Sequence, residues 1–226
     1  MKQVEKNILN ILIDIAIIIM VVLSLYKGIY EAISEMLKGN FSNNSLSQFT
    51  TLSNLLVLIV ACIEIIVISF HFKKKKMPVW IPTLKGIATA EILQTLTLVT
   101  IATIAVEEAK PEIMFGGVEL FAHLLIPIIC LIQFVTLEDK PIKLWKTALI
   151  AFLVCVPYVT VYCLETRVSH LWIDFYWLWA WGDAVGVAFI CICSVLIVGL
   201  MSLLTLLRKI FAKFVWKEQI LKNSFN

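Results

Sequence analysis

Six apolar stretches, at 8–26, 50–72, 84–106, 115–136, 144–164 and 183–207, decide what this chain can fold into. Each is about as long as the 20 residues a helix needs to cross the hydrocarbon core of a bilayer. Together they fill more than half of the 226 residues. The expected fold is therefore all-α: one polytopic domain over 1–226, with six transmembrane helices. The rest of the composition agrees, at 61% hydrophobic and 15% charged residues with a mean hydropathy of +0.95. A soluble domain carries about a quarter charged residues, so a water-soluble enzyme is excluded. Disorder needs polarity and a nucleic-acid module needs a dense basic face, and neither is present. The first stretch follows Lys2 and Lys6 as a signal peptide would. It is too long for a signal's apolar region and no small-x-small cleavage site follows, so it reads as a retained helix.

The basic residues orient the bundle. With six crossings, one side receives Lys2 and Lys6, then Lys73–Lys76 and Lys85, then Lys140, Lys143 and Lys146, then Arg208, Lys209, Lys213, Lys217 and Lys222. The other side keeps only Lys27, Lys38, Lys110 and Arg167. Fifteen basic residues against four follows the positive-inside rule with both termini cytoplasmic. Trp80, Trp145 and Trp216 fall at the inner interface, and Trp172, Trp177, Trp179 and Trp181 crowd the last outer loop. Those are the positions of aromatic belts. The net charge of +3 then reflects topology and anionic lipid, not nucleic acid.

Cys62, Cys130, Cys155, Cys163, Cys191 and Cys193 all lie in spans without C-x-x-C spacing. No disulfide, metal or cofactor is expected. The outer connection 27–49 begins with a stretch able to form a short surface helix and ends in NFSNNSLSQ, with sequons at Asn40 and Asn43. The Ile- and Lys-rich composition points to a bacterial plasma membrane, where sequons carry little meaning. The aromatic stretch 165–182, with His170 and Asp174, reads as an interfacial helix or a lid.

Charged groups inside spans are costly and mark functional candidates. They are Asp14, Glu64, Glu91, Glu119, His123 and, at a helix start, Asp183. Thr50, Asn54, Ala61 and Glu64 fall within about 40° on one helical face, with Glu64 about 21 Å deeper than Thr50. On the fourth helix, Glu119, His123, Pro127, Cys130 and Phe134 share a face. Pro127 removes the backbone bond to residue 123 and can open the helix there. Thr50, Asn54, Glu119, His123, Arg167, His170 and Asp183 all belong to the outer half. A hydroxyl becomes nucleophilic when a base takes its proton, and histidine suits that task at neutral pH. Thr50 with His123 forms such a pair if helices 2 and 4 pack. Glu119 could orient the imidazole and Asn54 could hold an oxyanion. The bland readings are a Thr bonded to its own helix, a histidine as polar glue and a glutamate near the interface. Thr97, Thr100 and Thr103 read as a packing face.

Phe49-Thr50-Thr51-Leu52-Ser53-Asn54 resembles the F-T-x-x-S-N opening of helix 2 in prokaryotic six-helix relatives of the androgen-induced and androgen-dependent TFPI-regulating protein family. His123-Leu124-Leu125-Ile126-Pro127 resembles that family's H-x-x-x-P helix 4 motif, and Trp145, Pro157, Tyr158 and Tyr162 match its helix 5. The resemblance implies an intramembrane threonine hydrolase, related to enzymes that cleave fatty acid esters of hydroxy fatty acids. By motif the nucleophile maps to Thr50, with Thr51 as the alternative, and the base to His123. The chain departs at Glu165-Thr166-Arg167, where the family has Arg-Gly, and at Phe175-Tyr176-Trp177, where it has Tyr-Pro pairs.

Three functions remain open on the sequence. The leading one is a lipid-ester hydrolase whose site faces the outer side and takes a membrane lipid or acyl ester. The second is a small proton-coupled carrier, motivated by acids at several depths. The third is a non-catalytic lipid-binding protein. No protein partner is indicated.

Overall fold

The computed structural model describes residues 3–39, 48–71, 78–105, 110–138, 142–171 and 183–224. All regular structure among them is helical: α1 (Gln3–Leu37), α2 (Phe49–His71), α3 (Trp80–Ala105), α4 (Pro111–Met114), a π-helical turn (Phe121–Leu125), α5 (Ile126–Leu137), α6 (Leu144–Arg167) and α7 (Asp183–Ser224). Within these, five helices are long and apolar enough to cross a membrane, and Phe121–Leu137 forms a shorter sixth. The described residues are thus all-α, and their helices are compatible with a multi-pass membrane protein.

Central in the packing is α3, which touches α2, α5, α6 and α7. Every residue from Lys85 to Thr95 is buried, so α3 has no single apolar stripe, as expected of a surrounded helix. Small residues permit the close approach: Gly86, Ala88 and Ala90 on α3, and Ala148 and Ala151 on α6. One apolar cluster joins Ile17, Val21, Val57, Ala61, Ile92 and Ile126. Another joins Ala90, Phe134, Ala151, Tyr162, Ile197 and Met201. Outside them Leu12, Ile59, Ile104, Leu153 and Val195 are exposed, as lipid-facing residues would be.

Cross-helix bonds fix the directions. Glu64 pairs with Lys85 and Ser53 with Thr95, so α2 and α3 are antiparallel. Lys85 near the start of α3 reaches Glu138 just past α5, so those two are antiparallel as well. The bundle therefore has an α1-start end, with Asp14, Glu64 and Lys85, and an α2-start end, with Thr50 and Ser53.

Several boundaries differ from expectation. The sequence suggested a separate surface helix after residue 26, but α1 continues unbroken to Leu37, 35 residues in all, or about 52 Å. Gly28 is carried within the helix, and the chain leaves it only at Gly39, which has φ +79°. The expected fourth span at 115–136 starts later. Gly117 takes φ +55°, and a Cβ on Gly116 would collide with the Glu112 carbonyl, so the Gly-Gly pair makes a turn. His123 consequently lies only one turn from the helix start. The Ile126 N–H bonds to the Phe121 carbonyl, an i→i−5 contact. Pro127 has no N–H, and the π turn immediately before it is the opening that its position foretold. Lys85, grouped with the loop lysines by sequence, lies more than a turn inside α3 and is buried. The hydroxyls of Thr97, Thr100 and Thr103, read as a packing face, bond to carbonyls of their own helix. The KKKK run, the two sequons, Asp174 and the tryptophans at 172–181 lie outside the described residues.

Candidate functional site

At the α2-start end, Thr50, Thr51, Ser53 and Asn54 are all buried. The Thr50 carbonyl accepts two side-chain bonds, from Ser53 Oγ at 3.0 Å and from Asn54 Nδ2 at 2.8 Å. Ser53 Oγ also bonds Thr95 Oγ1 at 2.8 Å, which ties α2 to α3. Neither the Thr50 nor the Thr51 hydroxyl bonds to another described residue. One amide N–H of Asn54 is committed to the Thr50 carbonyl. Its Oδ1 is fully buried and without a partner.

His123 is buried inside the π turn, and that turn touches α2. Its Nδ1 bonds the Met114 carbonyl at 2.5 Å. A carbonyl only accepts, so Nδ1 carries the proton, and in the neutral ring Nε2 holds the lone pair. Phe115 stands edge-on to the imidazole at 6.4 Å, which further fixes the ring plane. Glu119 Oε2 is 3.6 Å from Nε2, beyond hydrogen-bond reach, and its side chain is half exposed. The orienting contact on Nδ1 thus comes from a backbone carbonyl in the α4 turn, while Glu119 attends the other nitrogen. No hydrogen bond joins His123 to Thr50 or Thr51. Arg167 and His170 are exposed at the end of α6. Asp183 begins α7.

The α1-start end holds a second polar group. Gln133 Nε2 donates to Asp14 Oδ1 at 2.8 Å and to Asn10 Oδ1 at 3.3 Å. Lys85 Nζ lies 2.6 Å from Glu64 Oε2 and 3.3 Å from Glu138 Oε1. Asp14, Glu64, Lys85, Thr89, Cys130 and Gln133 line one small cavity of about 20 Å³, room for a single water. Glu64 is separate from the Thr50 group, as its depth implied. Sequence reasoning missed Asn10, Lys85, Gln133 and Glu138. The signal was present on α1, where Asn7, Asn10, Asp14, Ile17, Val21 and Leu25 form one buried stripe at three- and four-residue spacing.

Glu91 lies on α3 between these groups, 1% exposed, with neither carboxylate oxygen partnered. Its neighbour Gln94 donates to Cys155 Sγ at 3.2 Å. Removing two orphaned acceptors relieves a cost, so Glu91→Leu is expected to raise stability by about 1–3 kcal/mol. Reversible unfolding in mixed SDS micelles measures this, and a loss of stability would show that Glu91 has a partner worth more than its burial costs. Among the described residues, no three His, Cys, Asp or Glu side chains are grouped as metal ligands. No family model, curated protein or solved structure matches the chain.

Proposed function

We propose that the chain is a bacterial plasma-membrane lipid-ester hydrolase, with both termini cytoplasmic and its site at the outer, α2-start end. The observation that supports this most is the setting of His123: buried, held through Nδ1 by Met114, and left with Nε2 as the basic nitrogen. Thr50 and Thr51 offer buried hydroxyls on the helix the π turn touches. In the proposed reaction the Thr50 hydroxyl attacks the ester carbonyl and its proton passes to His123 Nε2. In this reading the second amide N–H of Asn54 stabilises the oxyanion. Collapse of the intermediate expels the alcohol, which takes the proton from His123. Water, deprotonated by the same nitrogen, then frees the acid from the acyl-threonine. Nε2 must swing from Glu119 towards the threonine for this, and a π turn is a place where such a shift is cheap.

A fluorophosphonate probe tests it. Wild-type protein is expected to label, Thr50→Ala to lose labelling because the attacking oxygen is gone, and His123→Ala to label about 10²-fold more slowly. Undiminished labelling in both variants removes the assignment. Loss in Thr51→Ala alone transfers the nucleophile by one residue.

A second reading is a proton-coupled carrier. It is favoured by the buried Asp14, Glu64, Lys85 and Glu138 group, since intramembrane acids and bases mark ion paths.

A further inference from the structure

We propose that the cavity between α1, α2, α3 and α5 binds one monovalent cation, held between Asp14 and Glu64. The site is independent of the ester chemistry, since it lies at the opposite end of the bundle.

Four helices bring charged groups to this place. Asp14 comes from α1, Glu64 from α2 and Lys85 from α3, with Glu138 just beyond α5. From α7, Arg208 stands over the Phe134 ring, 5.9 Å from its centroid. Among the described residues three carboxylates therefore face two cations here, and one negative charge is left in a nearly dry interior. Such a charge is retained only when something neutralises it.

The uncompensated group can be named. Lys85 sits between Glu64 and Glu138, at 2.6 and 3.3 Å. Asp14 Oδ1 accepts from Gln133. No N–H or O–H donor reaches Asp14 Oδ2, although the residue is only 1% exposed, lines the cavity and has the Glu64 carboxyl as its neighbour. The cavity borders Asp14 and Glu64 together and exposes Thr89 as a neutral oxygen donor, with Lys85, already paired with Glu64, at its wall. Its volume of about 20 Å³ admits one small ion or one water. A single positive charge, as a sodium ion or as a proton shared by the two carboxylates, meets both the space and the charge.

Purified full-length protein in lipid nanodiscs tests this without any variant. Sodium chloride is exchanged for choline chloride at constant ionic strength, and melting temperature and ²²Na⁺ binding are followed. A saturable rise of about 3 °C or more with stoichiometric sodium identifies a sodium site. Sodium insensitivity together with titration of one proton between pH 5 and 9, absent in Asp14→Asn, identifies a proton in the same place. Asp14→Asn removes the surplus charge, so it is expected to match the occupied wild type in stability and to ignore both sodium and pH in that range. Wild-type protein that neither binds sodium nor takes up the proton overturns the proposal. So does an Asp14→Asn protein with wild-type sodium or proton uptake.

Discussion

Lys85→Met is expected to destabilise the protein by about 3–5 kcal/mol, the cost typical of leaving a buried charge without its partner. Lys85 is buried beside Glu64 and Glu138, with side-chain exposures of 6%, 2% and 7%. Its removal strands two carboxylates at once, where little water can reach them. The same reasoning gives the sign of the rescue. Lys85→Met combined with Glu64→Gln removes one stranded charge, and it is expected to recover roughly half of the loss, because Glu138 remains. Equilibrium unfolding in SDS and dodecyl maltoside, run as a double-mutant cycle, measures both. A Lys85→Met protein within about 1 kcal/mol of wild type would mean that water screens the pair as it does at a surface. An additive cycle would mean that Lys85 and Glu64 do not act on each other.

Lys85 also shows where the sequence was readable and where it was not. Hydropathy located all six apolar segments, because backbone groups in lipid must be satisfied internally and long apolar helices are the simplest solution. It could not place a lysine at a helix end, since a flanking charge and a buried one look alike in a sliding window. The lysine's carboxylate partners come from α2 and from the end of α5, and such pairings across about 20 and 50 residues leave no local trace. Asn10 and Gln133 were missed for the same reason, although the stripe from Asn7 to Leu25 could have been read on α1 alone. Pro127 was legible because its missing N–H acts on its own helix, and the π turn lies directly before it. For His123 the sequence showed a histidine within an apolar segment, but the group that orients it was not legible. Met114 contributes a carbonyl, which every residue possesses, and the turn that aims it depends on Gly116 and Gly117.

The second large effect concerns a contact that involves no charge pair. Phe134→Ala is expected to cost about 3–5 kcal/mol. Phe134 is fully buried, and its ring lies against Gly86 so closely that a Cβ there would stand 3.2 Å from two ring carbons. Arg208 covers the ring at 5.9 Å, adding a cation–π attraction that counts for more where water is scarce. Between helices in lipid there is no large gain from leaving water, so the loss comes from the cavity and the forfeited dispersion contacts. This assigns a sign to the reciprocal change. Gly86→Ala in wild type pushes a methyl group into the ring and is expected to cost about 1–3 kcal/mol. In a Phe134→Leu background the ring is gone, and the same methyl group should cost little or improve the packing. Steric unfolding measurements on the four proteins decide it: a coupling energy near zero would show that α3 and α5 are not held together at this contact. A coupling above about 1 kcal/mol would locate here the close approach that brings Lys85, one residue before Gly86, within reach of Glu138.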